Sequence, residues 1–518
     1  MAYSCNRTKG RSKLNASTTS VLALATAMVL APDCAQAESF LGTPTVTAGS
    51  ATITEGATTT DIAVQTTQVV IDWVPDDTAV GGGNIDFQPV NTTATFTDGG
   101  VVDGIGYFAV LNRIIPVDPT RMVELNGTIT SLVGSNVGGT IFFYSPGGIL
   151  IGSSAVINVG SLGLTANDPR VNGGEFINAF NQVEFQQATQ AGATVTTAAG
   201  SSIFTGGNSA LGFASYFAMV APVVQHGGNS FSNTAAAMIS ADAALITFSP
   251  DGLFDIQVTS GTSGTGKTLS VSGNLNTELG GYTYLAAVPK NDAITMAITA
   301  GAEVGFDVAQ NATAIDASTV ILGAGSIISD GNVIEVISPA SGSGTVDVEI
   351  GAANIAGTTT IWGTGSLKVT GGANFRGTFF GGVQGTIDLL ADTDDLNFGS
   401  TVSLDVGTFS GTAVDNSPDI ASDITVIASN GNSISVDGGL SLRTLGGRGQ
   451  LTLGPSGKDG TGGDITFTAD GGSIGVNGNL TLISSGLGRL AATGGTSGDG
   501  IGGDVVVTAI NGGEISAA

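Results

Sequence analysis

Cysteine is almost missing: the 518 residues hold only Cys5 and Cys34, both ahead of residue 37. A disulfide framework is thereby excluded for everything downstream. Histidine occurs once, at His226, so no cluster of imidazoles can hold a metal, and a Ser-His-Asp triad has a single candidate base. Its setting, Gln225-His226-Gly227-Gly228, reads as a turn after a strand, and a turn residue is the expectation. Basic residues number 15 against 42 acidic ones, a net charge of −27 that repels phosphate backbones and anionic lipid heads. Nucleic acid is a poor partner on that ground. Aromatics make up 6%, with Trp73 and Trp362 the only tryptophans. Beyond residue 37 no apolar run approaches the ~18 residues that span a bilayer, and the longest, Ala214 to Val224, is broken by Pro222. Glycine-rich runs abound, yet none joins a Gly-Lys-Ser/Thr ending to a strand-then-helix context, so no phosphate loop is expected. Neither a cofactor nor a metal is implied.

What is present begins with a processing segment. Arg7, Lys9, Arg11 and Lys13 precede the apolar run Val21 to Ala31, and Ala35-Gln36-Ala37 then forms a small-residue cleavage site. Residues 1–37 are read as a secretory signal peptide cut between Ala37 and Glu38. The run is too short for a membrane anchor, and Ala31-Pro32-Asp33 is not the pattern that would place a lipid on Cys34. Removing four bases and one acid from 15 and 42 leaves 11 and 41, a mature net charge of −30 without a cysteine.

The rest reads as short strands cut by turn residues. In the stretch 144–166, YSPGGILIGSSAVINVGSLGLTA, apolar runs of a few residues alternate with Gly, Ser and Pro. The chain also repeats: Asp423-Ile424-Thr425-Val426 is echoed by Asp464-Ile465-Thr466-Phe467 and by Asp504-Val505-Val506-Val507. Ser433-Ile434-Ser435-Val436 is likewise echoed by Ser473-Ile474-Gly475-Val476. A period of about 40 residues suits one propeller blade, or two solenoid coils of about 20 each. Few aromatics argue against blades, so an all-β solenoid is expected. At about 20 to 25 residues per coil it would have some 20 coils and run on the order of 100 Å.

Several pieces then resemble, in order, the filamentous-haemagglutinin family of exoproteins. Ser145-Pro146-Gly147-Gly148-Ile149 with Gly152 and Ala155-Val156-Ile157-Asn158-Val159-Gly160 resembles the family's NPNG(I/V) motif and its trailing glycine-rich strand. Val70-Ile71-Asp72-Trp73 with Ile85-Asp86-Phe87-Gln88-Pro89 resembles "INW…VNFNQP". Val110-Leu111-Asn112-Arg113-Ile114 resembles "VLNRV", and Phe217 to Val224 resembles "VALIGPRV". The resemblance covers roughly residues 45 to 260. It implies an amino-terminal two-partner secretion domain over 38–260, followed by β-helical repeats over 261–518. Such a domain is recognised by a dedicated outer-membrane β-barrel transporter with periplasmic helper domains, crosses unfolded, and folds outside as a right-handed parallel β-helix. By the same resemblance, recognition rests on Asn112, Arg113, Ser145, Pro146, Gly147, Gly148, Ile149 and Asn158. The implied location is outside a Gram-negative cell, released or held at its surface. Ser145, Gly147 and Asp72 depart from the family's Asn at those places.

Catalytic chemistry is thinly represented. The densest acid cluster, Asp392-Thr393-Asp394-Asp395, would suit a solenoid glycosidase if two carboxyls faced one groove, but reads as a solvated turn. Ser497 to Asp504 matches a calcium-binding nonapeptide poorly and does not recur every nine residues. An adhesin-like surface protein with an unidentified ligand is the leading expectation. A polysaccharide hydrolase or lyase, or the stalk of a toxin or autotransporter, is the alternative. The third repeat breaks off after Ile515-Ser516, so more coils are expected downstream.

Overall fold

The structure, a computed structural model, describes residues 39–99, 107–207, 214–248, 254–278, 280–290, 293–299, 301–306, 319–324, 327–329, 333–335, 344–407, 420–446, 459–487 and 498–518. The signal-peptide residues Ala35, Ala37 and Glu38 lie outside them. All described residues belong to one unit, Ala37–Ala518.

Alternating residues put one side of each strand inward, and turn residues break the chain before any strand grows long. One coil shows the result. Thr140–Tyr144 lies on a first face, Gly148–Ile151 on a second, Val156–Val159 on a third, and Ser161–Thr165 returns to the first. Repetition builds three long sheets, of 14 strands on face one, 13 on face two and 16 on face three, among the described residues. Pairing between coils is parallel and in register, so the chain is a parallel β-helix, as the turn-rich alternation predicts. Inside, like stacks on like. Val69, Val110, Ile141, Leu162, Phe217 and Ala236 form one ladder on face one, all buried. Each such side chain contributes about 1.5–3 kcal/mol when buried, the small alanine less.

The start of the stack is closed by a cap. Gly42–Ala48 pairs antiparallel with Gln68–Pro75, and Ala51–Glu55 pairs antiparallel with Thr59–Val64. Phe40 inserts beneath the first coil, stacked on Phe87 at 5.1 Å and edge-on to Trp73 at 5.2 Å.

Two expectations need correction. The 40-residue repeat is one coil, not two, because Ile424, Ile465 and Val505 are successive partners on face two. Ser433, Ser473 and Glu514 are successive partners on face three. Coils near 20 residues exist as well, with Leu367 and Ile387 stacked directly. The corner from face one to face two accounts for much of the difference: it takes the single residue Pro222 in one coil and the 28 residues 166–193 in another. The corner from face two to face three stays at two to four residues, as in 227–228 and 392–395. Thirteen described strands on face two at strand spacing therefore span only about 60 Å, well short of 100 Å.

A second layer also lies over face one. Gln182–Phe185, Ala243–Phe248, Phe254–Ser260, Ile327–Ser329 and Val333–Glu335 form an antiparallel sheet. Its Phe185, Phe248, Ile246 and Ile256 bury the outward Leu111, Phe142, Ala218 and Ile239 of face one in a second apolar core. This explains why Thr140–Tyr144 and Tyr216–Ala221 are buried at every position, since both sides of these strands are covered.

Candidate functional site

The residues singled out by the sequence converge, with one exception, on the edge between face one and face two. Asn112 sits at the same height as Phe143 one coil on, and Arg113 at the height of Tyr144. Asn112 points inward and is fully buried. The indole Nε1 of Trp73 donates to its Oδ1 at 3.2 Å, and its Nδ2 donates to the Phe142 carbonyl at 3.2 Å. A buried amide so paired ties the "VLNR" strand to the coils before and after it.

Arg113 points outward. Its Nε and a terminal nitrogen donate to both oxygens of Asp168, at 3.1 and 2.8 Å, and its other terminal nitrogen reaches Asp72 at 3.4 Å. A two-pronged contact of this kind fixes orientation as well as distance. Burial raises the Asp168 carboxyl above its ordinary range, with Arg113 opposing the shift. Beside it, burial and the Asp168 charge push the Tyr144 hydroxyl up to about 12.

Next comes the turn. The Gly148 N–H donates to the Ser145 carbonyl at 3.0 Å, and Pro146 fixes the first turn position. A Cβ on Gly147 would lie 2.2 Å from the Arg121 carbonyl of the preceding coil. A Cβ on Gly148, whose φ is +103°, would lie 2.1 Å from the Thr194 carbonyl of the next. In this chain only glycine fits at both positions between the stacked backbones. Ile149 then enters the core. Arg121, which the sequence reading passed over, is almost fully buried and supports the turn from below. It donates to the carbonyls of Gly83 at 2.8 Å and Ala79 at 3.0 Å and to Asp77 at 2.6 Å. That guanidinium holds Asp77 down to about 2. Its rarity was the available signal: among 11 bases downstream of residue 37, one placed directly before a core strand invites a pairing role.

The exception is Asn158, on face three between Thr130 and Phe204, away from this edge. The remaining residues share one property that the sequence reading did not foresee. Asn112, Ser145, Pro146, Gly147, Gly148 and Ile149 are all buried, leaving Arg113 as the partly exposed member.

His226 departs from expectation too. It ends the strand Val223–His226, is buried, and is no solvated turn residue. Its Nε2 donates to the Asn274 carbonyl at 2.9 Å, which fixes the tautomer, so its Nδ1 accepts from the Thr197 hydroxyl at 2.8 Å. The Thr197 oxygen is itself occupied by N–H groups of Gly227 and Gly228. Burial lowers the imidazole to about 4.

Asp392, Asp394 and Asp395 do lie in an exposed turn, where Asp395 accepts from the Ser433 N–H at 2.7 Å and hydroxyl at 2.9 Å. Of the calcium-like stretch, Gly500–Ile501 pairs with Gly460–Thr461, as a connecting loop in each repeat would. Gly261 to Thr268 has the spacing of a phosphate loop, a match the sequence reading missed. It runs into the strand Gly266–Val271 rather than a helix, and Lys267 is paired with Glu349 at 3.0 Å. Among the described residues no group of three or more His, Cys, Asp or Glu is placed to hold a metal, and no helix is long and apolar enough to cross a membrane.

No protein-family model and no curated protein matches the chain. Among solved structures, the HMW1 secretion domain of Haemophilus influenzae is similar at 14% identity, over 90% of this chain and 99% of that one, with a TM-score of 0.40. The filamentous hemagglutinin secretion domain is similar at 12% identity, over 85% and 99%, with a TM-score of 0.24.

Proposed function

We propose that the chain is a secreted β-helical exoprotein of the two-partner type. Residues 38–260 address it to an outer-membrane β-barrel transporter with periplasmic helper domains. The coils of 261–518 extend an adhesin-like surface outside a Gram-negative cell, released or held there. The observation that carries this reading is the convergence of the ordered motif residues Asp72, Asn112, Arg113 and Ser145 to Ile149 on one edge of a helix without a cysteine. The absence of cysteine after residue 37 suits a route in which the chain is threaded unfolded, since a periplasmic disulfide would obstruct passage. Burial of the motif supports the same order of events. Side chains enclosed by the coils on either side are open to a transporter only before those coils form. Arg113 and its partner Asp72, both partly exposed, are the motif side chains of this edge that a partner could still reach afterwards.

The test is fractionation of cells that carry the transporter, comparing the native chain with a Pro146→Ala, Gly147→Val double variant. The variant is expected to stay in the periplasm. Its appearance outside at the native level overturns the reading.

A further inference from the structure

Face three carries an uncharged strip of which the export reading uses only Asn158. Two outward columns run along it through four coils. One is Val156, Ser202, Asn229 and Asn274, and the other is Asn158, Phe204, Phe231 and Asn276, each in register with the next. Their inward neighbours Ile157, Ile203, Ser230 and Leu275 are buried, which fixes the outward sense of both columns. The rings of Phe204 and Phe231 are stacked at 5.8 Å and 5°. Phe204 is 39% and Val156 45% exposed, and Ser202 and Asn229 are exposed with them. The Phe204 ring lies over Gly206, where a Cβ would come within 2.6 Å of it.

Three observations together define a ligand class. First, the side chains of Asn158, Ser202, Asn229, Asn274 and Asn276 make no hydrogen bond among the described residues, and the Asn158 oxygen is buried without a partner. Amide and hydroxyl groups left unpaired beside an aromatic pair have capacity for an outside partner. Second, no charge enters either column from Thr128 and Thr130 until Glu303, in a chain of net charge −27. A cationic partner would be drawn to the acidic surface elsewhere, and an anionic polymer would be repelled by the molecule as a whole. Third, the groups recur at strand spacing, about 4.8 Å, so a partner with regularly repeated hydroxyls meets an amide or hydroxyl side chain at each coil, Asn158, Ser202, Asn229 and Asn274 in turn. Neutral sugar rings unite these demands: an apolar C–H surface for Phe204, Phe231 and Val156, and a rim of hydroxyls that both donate and accept.

We propose that this strip binds a neutral polysaccharide chain laid along the helix axis, its rings against Val156, Phe204 and Phe231 and its hydroxyls on Ser202, Asn229, Asn274 and Asn276. The site stands apart from export, because it belongs to the folded chain and is measured on purified protein.

The test is calorimetric titration of the purified full-length mature chain with cellohexaose, chitohexaose and mannohexaose, and with heparin as an acidic comparison. At least one neutral hexaose is expected to bind. A Phe204→Ala, Phe231→Ala double variant is expected to weaken it at least tenfold while the melting temperature stays within a few degrees. Should that variant misfold, Asn229→Asp with Asn274→Asp, on exposed and half-buried positions, is expected to weaken binding to the same degree. No binding of any neutral hexaose, binding indifferent to the folded variants, or heparin bound in preference each overturns the proposal.

Discussion

His226 makes the stability of this helix depend on pH in a way that can be isolated. The imidazole is enclosed between coils, with Thr197 on one side and the Asn274 carbonyl on the other. Protonating Nδ1 would set a new N–H against a hydroxyl whose hydrogen already points at it and whose oxygen already accepts two backbone donors. The folded state therefore resists the proton, and burial lowers the group from 6.5 to about 4. The unfolded chain begins to take up a proton near 6.5. His226 thus contributes its full stabilisation above that pH, loses it progressively as the pH falls from 6.5 towards 4, and adds no further loss below. A gap of about 2.5 pH units at 1.36 kcal/mol each is about 3 kcal/mol. The assay is urea unfolding of the native chain and of His226→Gln at pH 7.5 and pH 4. Carboxylates titrate in both proteins and cancel in the comparison. The variant is expected to be less stable at pH 7.5, by about 1–2 kcal/mol for the disrupted hydrogen bonds. It should escape the acid loss of about 3 kcal/mol, so that the order reverses and the variant is the more stable by about 1–2 kcal/mol near pH 4. Equal acid losses in both would refute the assignment of the shift to this buried ring.

Two other positions test the architecture. Phe40→Ala removes the plug from the capped end and is expected to cost about 3–5 kcal/mol in urea unfolding; a loss below about 1 kcal/mol would show that the antiparallel strands close the stack without it. Gly148→Ala forces a Cβ onto the Thr194 carbonyl at a φ of +103° and is expected to leave little soluble protein. Gly192→Ala, at a φ of +72° with open space around it, should cost only about 1 kcal/mol. Equal solubility of the two glycine variants would remove the steric account of the motif.

The alternating strands and the inward ladders were legible because side-chain direction in a strand follows directly from sequence. Coil length was not. Asp423, Asp464 and Asp504 recur at a fixed interval, yet the interval counts the corner loops as well as the strands, and the loops are free to vary. His226 was misread because Gly227 and Gly228 announce a turn one residue later, while the groups that satisfy its ring, Thr197 and Asn274, stand 29 and 48 positions away. The glycines of Ser145–Gly148 were recognised as a turn, but their necessity depends on carbonyls of Arg121 and Thr194 that only stacking brings near. The second layer did leave a trace: runs such as Ile141-Phe142-Phe143 and Ala235-Ala236-Ala237-Met238-Ile239 do not alternate, and strands covered on both sides have no reason to.

The corner between faces one and two gives the molecule a particular kind of history. Ladders keep their phase whether that corner holds Pro222 alone or residues 166–193, because the strands and not the connection carry the register. A duplicated coil can therefore acquire, lose or exchange a loop there without disturbing its neighbours, whereas the tight corner between faces two and three tolerates almost nothing. Inheritance in such a chain acts on single coils, and novelty collects along one seam. The three closing coils are alike in their strands and in the length of that corner, whereas the coils before them differ from one another in both.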